Sequence, residues 1–119
     1  MNIMKSIVNK PWGSYQIIDQ GENFVVKNIV VKPYCKLSLQ SHNHRSEHWI
    51  IVEGRAEVTV KDNITTLETN QSTYIPSKTK HRLANNFSDN LVVIEVWYGD
   101  NLDEEDIIRY EDIYNRKYI

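Results

Sequence analysis

Within LSLQSHNHRSEHWIIVEG, residues 37–54, Gln40, His42, His44 and Glu47 fall close together at spacings that suit a first-row metal ion. Imidazole is the commonest metal-ligating side chain, and a nitrogen and oxygen set without thiolate suits zinc, iron, manganese, cobalt or nickel. Side chains alternate along a strand, so Gln40, His42 and His44 project to one face. Glu47, Trp49 and Ile51 share a face of the strand after the turn. Gln40, His42 and His44 are thus three candidate ligands competing for two places.

The elements that must position these groups read as short strands. Residues 25–33, 36–42, 48–53, 55–61, 64–68, 73–76, 81–84 and 91–98 are rich in Val, Ile, Thr and aromatics and are separated by Gly, Asn, Asp, Pro or Ser. That rhythm is the one found in a sandwich, jelly roll or barrel. Gly54 and the pair Asp62-Asn63 stand where hairpin turns are expected, the latter because Asp and Asn tolerate left-handed backbone. From residue 101 the pattern changes. NLDEEDIIRYEDIYNR has a capping residue, acids in its first turn, and Ile107, Tyr110 and Tyr114 at helical spacing, which predicts a short C-terminal helix.

At 119 residues the chain is long enough to bury one core without disulfides, and residues 1–119 are expected to form a single domain. Fourteen Lys and Arg against sixteen Asp and Glu give a net charge of -2, which argues against nucleic acid or an anionic membrane as a partner. No segment approaches the roughly 18 apolar residues of a membrane span, and the N-terminus has no apolar signal core. A soluble cytoplasmic protein is expected. Cys35 is the only cysteine, so no internal disulfide can form; it reads as a packed thiol.

The region resembles the first motif of the cupin superfamily: Gly, five residues, His-x-His, three or four residues, Glu, six residues, Gly. Two frames are possible. With His42 and His44 as the pair, only two residues precede Glu47, and Lys36 falls at the turn glycine. With Gln40 and His42 as the pair, four residues precede Glu47, and Pro33-Tyr34 supplies the turn, which is the better fit. Glu47 and Gly54 hold their places in both. The second cupin motif, Gly, five residues, Pro-x-Gly, two residues, His, three residues, Asn, is matched by Asn70, Pro76, Lys78, His81 and Asn85. Asn70 can still take a positive φ, and Lys78 is a poorer substitute for glycine. The resemblance thus implies an all-β, cupin-type jelly-roll barrel and a ligand set of Gln40, His42, Glu47 and His81, with room left for water or substrate. One divalent ion is implied, zinc ahead of cobalt, manganese, nickel or iron. His44 and His48 fall outside this set.

A closer resemblance rests on LSLQ-x-H-x-HR-x-EHW at residues 37–49, STYIP at 72–76 and HRL-x-N at 81–85. KPWGSY at 10–15 and EDIIRYEDIYNR at 105–116 extend it over nearly the whole chain. These stretches are similar to the C-terminal cupin domain of type II phosphomannose isomerases. Those domains are usually fused to a guanylyltransferase whose Gly-rich nucleotide-binding segment is absent here, so synthesis of GDP-mannose is not expected. Trp97 and Tyr98 depart from that family, where Gln and Ser or similar residues are expected.

The resemblance implies conversion of mannose 6-phosphate to fructose 6-phosphate: a base takes the C2 proton, the enediolate oxygens are stabilised by the metal as Lewis acid, and the proton returns at C1. Arg45, Arg82 and Lys36 flank the motifs and are candidate anchors for the sugar phosphate. Glu95 interrupts the apolar run LVVIEVW and is the first candidate for the base, the alternative being that it faces solvent. His48 is the other candidate, although alternation from Glu47 turns it away from the metal face; Lys36 could serve if desolvated, and Arg82 is a further catalytic candidate. The alternatives are an isomerase or epimerase acting on another phosphorylated or nucleotide-linked sugar in polysaccharide synthesis, which Trp97 and Tyr98 favour, and a noncatalytic sugar-binding cupin. The apolar stretch 25–31 could be a strand covered on both faces, so a homodimer is expected.

Overall fold

The computed structural model describes residues 5–114, which contain eleven strands and no helix. A six-stranded antiparallel sheet runs in the order β1 (Val8–Lys10), β2 (Gly13–Gln20), β3 (Phe24–Val31), β10 (Leu91–Gly99), β5 (Arg45–Glu53) and β8 (Ser72–Ile75). A five-stranded sheet faces it in the order β11 (Ile108–Glu111), β4 (Leu39–Ser41), β9 (His81–Ala84), β6 (Ala56–Val60) and β7 (Asn63–Leu67).

Alternation decides what lies between the sheets. Along β10 the inward residues are Leu91, Val93, Glu95 and Trp97; along β5 they are Arg45, Glu47, Trp49 and Ile51; along β3 they include Lys27, Ile29 and Val31. The antiparallel register sets Val93 opposite Ile29 and Ile51, and Glu95 opposite Lys27 and Trp49. These three strands therefore carry their charged inward residues toward the same end of the sandwich. At the apolar end Val31, Ile51, Val58, Leu83, Leu91 and Val93 form the core, each contributing about 1.5–3 kcal/mol on burial. The other end is lined with charge.

The predicted C-terminal helix is not formed. Residues 101–107 have no regular structure, and β11 pairs antiparallel with β4, setting Arg109 opposite Gln40. Tertiary pairing overrides the local period because β4 offers an open edge, and Ile108 and Tyr110 suit a strand as well as a helix. Tyr110 Oη also lies 2.8 Å from Ser41 Oγ. Residues 115 and 116 of the predicted helix lie outside the described residues. The turn at 61–62 also differs from expectation: the left-handed residue is Lys61 (φ 55°), and Asn63 already pairs with Val60. Gly54 takes φ 80°, and a Cβ there would sit 2.4 Å from the Asn90 carbonyl oxygen. Strands β1, β2 and β11 were not anticipated. Both edges of β3 are paired, and its outward residues Val26, Asn28 and Val30 are half-buried rather than covered. Among the described residues, no helix is long and apolar enough to cross a membrane.

Candidate metal centre and its cavity

His42, Glu47 and His81 meet at the polar end of the sandwich, buried, with one ligand atom from each lying within 4.8 Å of the others. Three tight turns bring them there. Tyr34, Asn70 and Lys78, which stand at the glycine positions of the two motifs, have φ of 59°, 75° and 64°. Lys36, the turn position of the competing frame, is not among the positive-φ residues, so the backbone selects the frame that pairs Gln40 with His42. The Lys78 N–H donates to the His42 carbonyl at 2.7 Å and ties the third turn to the ligand strand.

Each imidazole is oriented through its Nδ1. His42 Nδ1 donates to the Asp106 carbonyl at 2.7 Å, and His81 Nδ1 donates to the Thr79 carbonyl at 2.8 Å. The remaining nitrogen, Nε2, therefore carries a lone pair on each ring, the arrangement that commonly orients metal-ligating histidines. His42 Nε2 lies 3.2 Å from Glu47 Oε2, and His81 Nε2 lies 3.9 Å from Glu47 Oε1. His81 Nε2 is buried without a hydrogen-bond partner. Burial pushes the pKa of both imidazoles down, that of His42 to about 3 with Arg45 and His81 adding to the effect, so these rings are neutral. Neutral lone pairs converging on a carboxylate fit a divalent cation better than they fit one another. Gln40, opposite His81 in register, lines the same cavity.

That cavity has a volume of about 380 Å³, within the range of small-molecule sites. Glu95 is buried in its wall, in phase with Leu91 and Val93 and not turned to solvent. Its Oε1 accepts from Trp97 Nε1 at 2.8 Å, and its Oε2 accepts at 2.9 Å from Trp49 Nε1, which also reaches Glu47 Oε1 at 3.0 Å. Burial, then the neighbouring Glu47 carboxylate, pushes the Glu95 pKa up to about 8 against the pull of Lys27 and Arg45. Arg45 is buried as well; its Nε donates to Glu47 Oε2 at 2.9 Å and its Nη2 to His42 Nε2 at 3.2 Å.

The other two expected anchors are not brought to the cavity. His81 points inward, so Arg82 points outward, and its guanidinium donates to the carbonyl of Leu37 and to Glu111, whose carboxyl it holds below the usual range. Lys36 lies beside Ala84 in an isolated bridge and is not part of the lining. His44 and His48 are exposed, the latter against Tyr74. Trp97 enters the cavity wall, whereas Tyr98 faces solvent. Sequence reasoning missed Lys27 and Glu104. Lys27 could have been found as Glu95 was, because it is a charge in phase with a buried apolar set, Val25, Ile29 and Val31.

Two facing antiparallel sheets with a histidine and carboxylate centre at one end define a cupin. A solved RmlC-like cupin from Shewanella frigidimarina superposes with a TM-score of 0.75 at 19% identity, covering 84% of this chain and 86% of that one. The chain belongs to the mannose-6-phosphate isomerase C-terminal family, which matches residues 2–112. The alginate biosynthesis protein AlgA of Pseudomonas putida is 54% identical over 109 residues, which cover 92% of this chain and 22% of that protein. The mannose-1-phosphate guanylyltransferase ManC of Salmonella typhimurium is 47% identical over 92% of this chain and 23% of its own length. The chain thus spans less than a quarter of the length of these curated relatives.

Proposed function

We propose that this chain is a metal-dependent aldose-ketose isomerase that interconverts mannose 6-phosphate and fructose 6-phosphate through an enediolate. The observation that carries the reading is the single indole N–H of Trp49 that joins Glu95 to Glu47, setting a titratable carboxyl beside the candidate metal ligands. Gln40, His42, Glu47 and His81 would hold the ion, which when bound supplies Lewis acidity to sugar oxygens. Glu95, with its pKa near 8, is suited to take the C2 proton of the aldose and to return it at C1. Trp49 and Trp97 fix both of its oxygens and so set where that proton is held. Of the three anchors expected from sequence, Arg45 alone lines the cavity; Arg82 and Lys36 have no part in this scheme.

A second reading, the same proton transfer on another phosphorylated or nucleotide-linked sugar, is supported by Trp97, whose buried ring shapes the cavity wall. The test is a coupled assay of mannose 6-phosphate conversion. Metal-stripped protein is reconstituted separately with zinc, cobalt, manganese, nickel or iron, with His81→Ala as control. Turnover that metal restores and His81→Ala abolishes is the expected result. Inert samples with confirmed metal occupancy would reject phosphomannose isomerisation by this chain and favour the second reading.

A further inference from the structure

Lys27 is a charged side chain only 4% exposed, projecting from the middle of β3 into the cavity wall. Lysines are almost never buried unless paired. Its Nζ is 2.8 Å from Glu104 Oε2 and lies over two aromatic rings, 4.1 Å from the centroid of Tyr15 and 3.8 Å from that of Trp97. The two members of the ion pair are unequal. Lys27 is fixed in a sheet paired on both sides, whereas the Glu104 side chain is 54% exposed and sits in the irregular segment 101–107. Glu104 can turn out to water, but the buried ammonium it leaves behind then lacks a carboxylate, a cost that an incoming anion would offset.

Arg45 reaches the same indole from the opposite side of β10, its Cζ 3.4 Å from the Trp97 centroid. The aromatic faces contribute cation-π attraction that helps hold both cations in place. Arg45 is already paired with Glu47, so the positive charge left unmatched once Glu104 withdraws is that of Lys27, which suits a phosphate monoester, a dianion with three acceptor oxygens. We propose that Lys27 is the phosphate-binding cation of the cavity, and that Glu104 is its intramolecular occupant, displaced when a phosphorylated ligand binds. This deepens the isomerase reading and rests on it for the choice of sugar.

The experiment measures binding of mannose 6-phosphate, inorganic phosphate and mannose to the metal-loaded full chain by titration calorimetry, with Lys27→Met and Glu104→Gln beside the wild type. Lys27→Met weakens both phosphate-bearing probes by about ten- to a hundredfold and leaves mannose unchanged, the loss expected for one charge-assisted contact. Glu104→Gln tightens both by about three- to tenfold because the competing carboxylate is gone. Wild-type affinity for inorganic phosphate in Lys27→Met, unaltered phosphate affinity in Glu104→Gln, or no phosphate binding by the wild type would each overturn the proposal. If Lys27→Met does not fold, Glu104→Gln decides alone. Phosphate binding that depends on Lys27 in a protein inert towards mannose 6-phosphate keeps the subsite and rejects the isomerase; turnover indifferent to Lys27 rejects the subsite alone.

Discussion

The two ends of the sandwich are built from the same strands and differ only in which residue types fall on the inward phase. On β10, Leu91 and Val93 give way to Glu95 and Trp97; on β5, Ile51 gives way to Glu47 and Arg45; on β3, Ile29 and Val31 give way to Lys27. At the apolar end, fully buried side chains supply most of the favourable burial. At the polar end the same backbone holds two carboxyls, a lysine, an arginine and two neutral imidazoles out of water, each of which costs free energy unless partnered. Stability and chemistry are thus divided along the strands, and substitutions at the two ends should separate the two properties.

The sharpest separation is expected from Glu95→Gln, which should lower turnover by about 10²–10⁴-fold, the usual worth of a positioned acid or base, with melting temperature unchanged or raised. A drop in stability without loss of turnover, seen by steady-state kinetics beside calorimetry, would show that Glu95 serves the fold and not the chemistry. His81→Ala should weaken metal binding by at least about a hundredfold, read by competition with a chromogenic chelator; retained affinity would remove His81 from the ligand set. At the apolar end, Ile51→Ala should cost about 2–5 kcal/mol in denaturant unfolding. The residual folded fraction should keep its specific activity.

Arg45 couples the metal centre to the cavity, because the one lone pair of His42 Nε2 cannot serve both Arg45 Nη2 and a metal ion. Arg45→Met is therefore expected to tighten metal binding by about tenfold while weakening phosphate binding, both read by calorimetry. Equal loss of both would show that Arg45 only supports the fold. The smallest effect is expected at a turn: Lys78→Gly should stabilise by about 0.5–1 kcal/mol by relieving left-handed strain, measured as a shift in the denaturant midpoint.

Most of the barrel was legible because β-branched runs punctuated by turn residues leave few alternatives. The seam between residues 25 and 98 follows the expected strands to within a few residues, with β4 the shortest against its expected span. The stretch from residue 101 was misread because its helical period was genuine, and only the open edge of β4 turned it into β11. Lys36 and Arg82 were drawn toward the site by their closeness in sequence to the motifs. Alternation turns Arg82 to the outer face beside the inward His81, which sequence proximity does not reveal.

The spacing from Tyr34 through Gln40, His42 and Glu47 to Gly54, and from Asn70 to His81, determined the fold family and the residues that line its centre, because turn geometry and strand alternation are local. Tertiary structure alone decided that Lys27 faces Glu95 across β3 and β10, that one tryptophan N–H joins Glu95 to Glu47, and that Glu104 reaches back to Lys27. The Trp49 contact to Glu95 and the Glu104 contact to Lys27 join residues 46 and 77 positions apart, and closing them depends on which strands pair, a choice made by the packing of the whole sandwich and not by any one segment.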